Sequence, residues 1–154
     1  MLADYFQPIQ VGVGTPGGGE AAVHATRRFV ESMPVGHCVV KLDFTNAFNS
    51  LDRGAMLEAV KQRVPGIYKF CHLSYSQPSV LGYMDRIIMS QEGSQQGDPL
   101  GPAMFCSTIQ PLLLSLASEL KEGYMDDLTL GGPEAQVARD VETVRRKGEA
   151  IGLR

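Results

Sequence analysis

The chain has 154 residues, 44% hydrophobic and 20% charged, with Gly 17 and Pro 9: the size of one domain with a core of its own and many turns. No apolar run reaches the roughly 18 residues that cross a bilayer; the longest, Ile109 to Ala117, is broken by Pro111 and Ser115, and the opening MLADYFQP lacks the basic-then-apolar order of a signal peptide. A formal net charge of −3 argues against a chain that binds nucleic acid through charge alone, because phosphate contacts rest on Lys and Arg.

The first distinctive segment is GVGTPGGG at residues 12–19, with a literal G-x-G-x-x-G at Gly12, Gly14 and Gly17. A nucleotide cradle needs a strand before this pattern and a helix directly after it. Pro16 lies inside the loop and no G-K-[ST] follows, so the segment reads as a flexible connector into a helix over 20–32. Ala22, Ala25, Phe29 and Met33 fall near helical spacing, and Pro34 and Gly36 end it. Residues 38–43 alternate as a strand, with Cys38, Val40 and Leu42 on one face and Val39, Lys41 and Asp43 on the other.

A helix is predicted over 52–64, capped by Asp52, carrying Met56, Val60 and Val64, and stopped by Pro65-Gly66. Residues 79–91 read as two short strands around Gly82 to Arg86. Asp98 and Pro99 suit the cap and first position of a further helix. That helix carries Phe105, Ile109, Leu112, Leu113, Leu116 and Leu120, bent at Pro111. Gly123 to Leu130 reads as a tight hairpin, and Pro133 to Ile151 as a last helix with Val137, Val141, Val144 and Ile151 on one stripe. The order predicts an α+β fold, a small antiparallel sheet with helices packed on one face. Cys38, Cys71 and Cys106 form no C-x-x-C pair, and His24, His37 and His72 are scattered. Neither zinc nor a redox dithiol is indicated, and buried thiols are expected.

The acids carry the chemistry. Asp126 and Asp127 are adjacent in Tyr124-Met125-Asp126-Asp127; alone they read as solvated turn residues. Asp43 ends an apolar strand. If that strand lies beside the hairpin, three carboxylates approach one site, and their repulsion calls for cations. Oxygen-only ligands suit Mg²⁺.

Lys41 to Phe48 (KLDFTNAF) resembles the first palm motif of reverse transcriptases, Ser94 to Pro102 (SQQGDPLGP) their second, and Tyr124 to Asp127 (YMDD) their catalytic hairpin. Ile151 to Arg154, closing the last helix, resembles the start of their fourth motif. Each motif is weak alone; the ordered set is specific. QGDPLGP resembles retroelements without long terminal repeats and intron- or retron-type enzymes. The resemblance implies a polymerase palm that binds an RNA template, a DNA primer and deoxynucleoside triphosphates. It implies two Mg²⁺ ions held by Asp43, Asp126, Asp127 and the Phe44 carbonyl. Phe48 takes the position of the ring that excludes a ribose 2′-hydroxyl; without the motif it reads as a core aromatic. Gln96 and Gly97 would form a platform for the incoming nucleotide, and Tyr124 and Met125 would lie against it or the primer end. Tyr83-Met84-Asp85-Arg86 echoes the hairpin but lacks its second acid, and reads as an ordinary turn.

Residues 1–19 are expected to be a remnant of the basic fingers or a connector, and residues 20–154 the palm core ending before the thumb. Fingers and thumb would be the missing partners, and their absence would explain the charge and leave the isolated chain feebly active. A non-catalytic retroelement remnant and a viral-type RNA-dependent RNA polymerase palm are the competing readings. Phe48 and the Tyr-Met pair favour the reverse transcriptase over the second.

Overall fold

A computed structural model describes residues 2–154. In chain order the elements are α1 (Leu2–Phe6), α2 (Gly18–Ser32), β1 (His37–Leu42), α3 (Ala47–Ser50), α4 (Arg53–Arg63), α5 (Pro65–Tyr75), β2 (Ser79–Tyr83), β3 (Arg86–Ser90), α6 (Gly101–Leu114), β4 (Leu120–Tyr124), β5 (Asp127–Pro133) and α7 (Glu134–Glu149). β1, β5 and β4 form an antiparallel sheet in that order, and β2–β3 a separate hairpin. No helix among the described residues is long and apolar enough to cross a membrane.

Period-two alternation builds the core face of the three-stranded sheet. Leu128 and Leu130 of β5 are buried against Phe105, Ile109 and Leu113 of α6 and Val137 and Val144 of α7. Cys38, Val40 and Leu42 of β1 join them, partly buried, as their alternation requires. The fold is α+β, with α6 and α7 on this face. Helix α2 also reaches the other face, where Phe29 fills the space above Gly131; a Cβ there would stand 2.7 Å from its ring.

Several local expectations shift. Asp52 does cap α4, its carboxylate accepting the Ala55 N–H at 2.7 Å. Pro65 ends that helix by holding Val64 extended at φ −138°, but then opens α5 as its N-terminal proline. A fixed φ that breaks one helix is preorganised to begin the next. α6 begins at Gly101, not Pro99, because the Asp98 carboxylate is committed to a turn and to Tyr75. It runs through Pro111 and stops at Leu114, so Leu120 opens β4 instead of extending the helix.

The Gly-rich segment is not a free connector. Val11 donates to the Gly123 carbonyl and Gly123 to the Ile9 carbonyl, both at 2.8 Å, and Phe6, Ile9 and Val11 are buried. Residues 2–13 therefore share one core with the rest. At the other terminus, Thr45 donates to the Arg154 carbonyl at 2.7 Å and Asp52 to that of Ile151 at 2.8 Å. Residues 151–154 thus clasp the loop that follows β1. Cys71 and Cys106 are buried, Cys38 partly so, and all three are free thiols.

Candidate active site

Leu42 is the last residue of β1 and stands opposite Leu128 of the antiparallel β5, so Asp43 follows one of these residues and Asp127 precedes the other. Lys41 and Thr129 pair one step back, on the face opposite the core. Lys41 Nζ lies 2.9 Å from Asp127 Oδ1, both side chains being well exposed. That hydrogen bond and charge hold the Lys41 ammonium above its ordinary pKa, and the charges of Asp43 and Asp126 act in the same direction. All three carboxylates thus lie within electrostatic reach of one lysine. Burial first, then the Asp126 charge, pushes the Cys106 thiol of α6 up to about 12.

Tyr124 pairs with Asp127, leaving Met125 and Asp126 as a two-residue turn. Met125 takes a left-handed φ of 56°, a conformation unfavourable for a residue with a Cβ. Gln10, fully buried, accepts the Met125 N–H at 2.8 Å and donates to the Met125 carbonyl at 3.1 Å. The same Oε1 accepts the Gly12 N–H at 3.0 Å. Sequence reasoning missed Gln10, since nothing in the periodicity around it marks a partner 115 residues away.

The second-motif residues meet elsewhere. Phe48, Gln96 and Gly97 line one cavity of about 410 Å³ with Ser94, Asp98 and Pro99; none of the three carboxylates lines it. Phe48 stacks on Phe105 at 4.6 Å between centroids and is half-buried, so the ring is at once a core neighbour and a cavity wall. Gly97 has φ 90°, which glycine adopts freely. Two residues not singled out from sequence hold this loop. Tyr75 donates to the Asp98 carboxylate and accepts the Gln95 N–H at 3.2 Å. Arg53, also buried, donates to the Gly93 carbonyl at 3.0 Å and the Ser90 carbonyl at 2.9 Å.

Tyr124 borders a groove of about 570 Å³ between α2 and the open sheet face, shared with Val23, Lys41, Glu122 and Thr129. Phe44 packs on the core beside Gly148. Among the described residues no three acidic, histidine or cysteine side chains close on one point as a ready-made metal cage, and Asp127 is engaged by Lys41. The donor chemistry still fits Mg²⁺. Asp43 and Asp126 carry no ion pair or hydrogen bond from the described residues, and Mg²⁺ is commonly held by one or two carboxylates, with waters and substrate phosphates completing its shell.

Asp126 in the turn, Asp127 opening β5 and helices behind the antiparallel sheet are the arrangement expected of a palm. Two telomerase structures from Candida tropicalis share the fold. One is apo telomerase truncated from its C-terminal domain, with TM-score 0.62 and 12% identity over 88% of this chain and 33% of that one. The other is telomerase with a fragment of telomeric RNA, with TM-score 0.63 and 13% identity over 88% and 28%. The family described as reverse transcriptase (RNA-dependent DNA polymerase) matches residues 5–154, and the chain belongs to that family. The Retrotransposable element SLACS 132 kDa protein of Trypanosoma brucei gambiense is 26% identical over 159 aligned residues, covering 96% of this chain and 13% of that protein. The chain thus spans a small part of its relative's length. Enzymes of the family use divalent metal ions.

Proposed function

We propose that this chain is the palm of an RNA-directed DNA polymerase of a retroelement, and that Asp43 and Asp126 are the carboxylates its chemistry depends on. What supports the reading is the register that ends β1 with Leu42 opposite Leu128, so that Asp43 follows one of these residues and Asp127 precedes the other, with Asp126 in the turn between β4 and β5. The substrates are an RNA template, a DNA primer and deoxynucleoside triphosphates.

Asp43, Asp126 and the Phe44 carbonyl would hold two Mg²⁺ ions, with Asp127 completing the negative field while paired to Lys41. When bound, such ions would supply the positive charge that phosphoryl transfer needs on its oxygens. The chain's own residues supply position and shape. Gln96 and Gly97 form a wall against which the nucleotide rests. Phe48 closes the cavity beside the sugar and crowds a 2′-hydroxyl, and Tyr124 and Met125 border the primer end. Fingers and thumb regions of a longer polypeptide would grip the triphosphate and the duplex, the work for which this acidic chain has few cations.

The test is primer extension on an RNA template by the reading frame that contains this chain. Extension is expected to need Mg²⁺ and to vanish in Asp43→Asn and in Asp126→Asn. The 154-residue chain alone should extend near background. Extension that survives Asp126→Asn removes the reading.

A further inference from the structure

A buried side chain grips the acidic turn from the far end of the sequence. The Gln10 amide brackets Met125, taking its N–H and giving a hydrogen to its carbonyl. Met125 is the residue at φ 56°, and a backbone conformation of this kind persists where its surroundings over-determine it. The main chain on both sides of Gln10 is tied to Gly123, two residues before Met125. Gly12 keeps the approach open, because a Cβ there would fall 2.6 Å from the Met125 nitrogen.

The molecule contains its own comparison. Tyr83-Met84-Asp85-Arg86 makes the same two-residue turn, with Met84 at φ 52°. There the methionine is 88% exposed, and among the described residues no side chain hydrogen-bonds its peptide. The bracket is what distinguishes the acidic turn.

We infer that Gln10 is a positioning residue: it fixes the Met125 peptide and thereby the direction in which the adjoining Asp126 carboxylate is presented. The inference rests on the proposed role of Asp126 as a metal ligand. It also gives the Gly-rich segment a use, as a strap fastened across the hairpin.

The test uses the 154-residue chain, amide hydrogen exchange, and Mn²⁺ binding followed by electron paramagnetic resonance. Gln10→Met keeps length and volume and removes both hydrogen-bonding groups; Gln10→Glu keeps the acceptor for the Met125 N–H. In Gln10→Met, exchange at Met125 should rise about tenfold or more relative to Leu130 in the sheet interior. Mn²⁺ binding should weaken about 10- to 100-fold, the loss typical when a group orienting a metal ligand is removed. Gln10→Glu should restore protection at Met125. Equal acceleration at Met125 and Leu130 would mean that Gln10 only holds the fold together, and overturns the inference. Unchanged Mn²⁺ binding in Gln10→Met, where Asp126→Asn loses it, overturns it too. A wild-type chain that binds Mn²⁺ no better than Asp126→Asn removes the metal reading and the inference with it. If Gln10→Met does not fold, the wild type still decides: Met125 should exchange about tenfold or more slowly than Met84, and equal rates overturn the inference.

Discussion

The Tyr75 hydroxyl donates to the Asp98 carboxylate, and this contact joins helix α5 to the loop that carries Gln96 and Gly97. Asp98 uses its other oxygen to accept the Leu100 N–H at 2.8 Å, so one carboxylate both shapes the turn and anchors it. The Arg53 guanidinium lies 5.2 Å from the Tyr75 ring centroid, and Arg53 also holds the start of the loop. Burial and the Asp98 bond push the Tyr75 hydroxyl up to about 12, so it stays a donor at neutral pH. Tyr75→Phe should lower stability by about 1.5–3 kcal/mol, the cost of a hydrogen bond to a charged partner. Urea unfolding measures the loss. A loss near zero would mean that the loop is held without α5.

Gly12→Ala should be damaging because the backbone of the acidic turn approaches Gly12 closely. The added methyl would stand 2.6 Å from the Met125 nitrogen and 2.8 Å from its Cγ, so backbone must move. About 1–3 kcal/mol of destabilisation is expected from such overpacking. Gly17→Ala, which meets nothing within 4 Å but sits at φ 66°, should cost about 1 kcal/mol by strain alone. Thermal unfolding of the two variants gives the ranking, and the reverse order would contradict the close approach at Met125.

Asp140 sets part of the acid stability. Burial alone would raise its carboxyl, but Ser118 side-chain and backbone donors, the Ala117 N–H and Gln136 outweigh it and hold the carboxyl below its ordinary range. A carboxylate depressed in the folded state adds stability that is present above its unfolded pKa and lost as pH falls through the folded one. Asp140→Ala should cost about 2–4 kcal/mol at neutral pH through lost charge-assisted bonds. It should also flatten the acid limb of the stability profile, below the ordinary carboxylate range. Chemical denaturation from roughly pH 2, about two units below an ordinary carboxylate, up to neutrality checks both. An acid limb as steep as the wild type's would place the titration elsewhere.

Phe48→Ala separates packing from selectivity. Loss of the half-buried ring stacked on Phe105 should destabilise by about 2–3 kcal/mol, less than for a fully buried ring. In the reading frame containing this chain, ribonucleotide incorporation should rise by a large factor while deoxynucleotide incorporation survives. Matched single-nucleotide extension assays measure the ratio. Unchanged sugar selectivity would leave Phe48 as a core aromatic only.

What the sequence determined by itself was the part written in short-range pattern. Alternation in β1 separates Cys38, Val40 and Leu42 from Lys41, Asp52 is a cap by its side-chain chemistry, and Gly123 to Leu130 reads as a hairpin. These depend on neighbours two to four positions apart, and the order of motifs along the chain carried the family. Pro65 shows where local signals stop, because the same fixed φ ends α4 and begins α5, and only the packing of Cys71 and Tyr75 into the core favours the second helix. Tertiary structure alone decided that Gln10 meets Met125, that Tyr75 meets Asp98, that Lys41 takes Asp127, and that Phe48 shares a cavity with Gln96 and Gly97 that none of the three carboxylates lines. Such contacts join residues tens of positions apart, and no local preference at either partner encodes them. They exist because the buried faces of the sheet and helices fit in one arrangement, which fixes polar groups that are individually free to point anywhere.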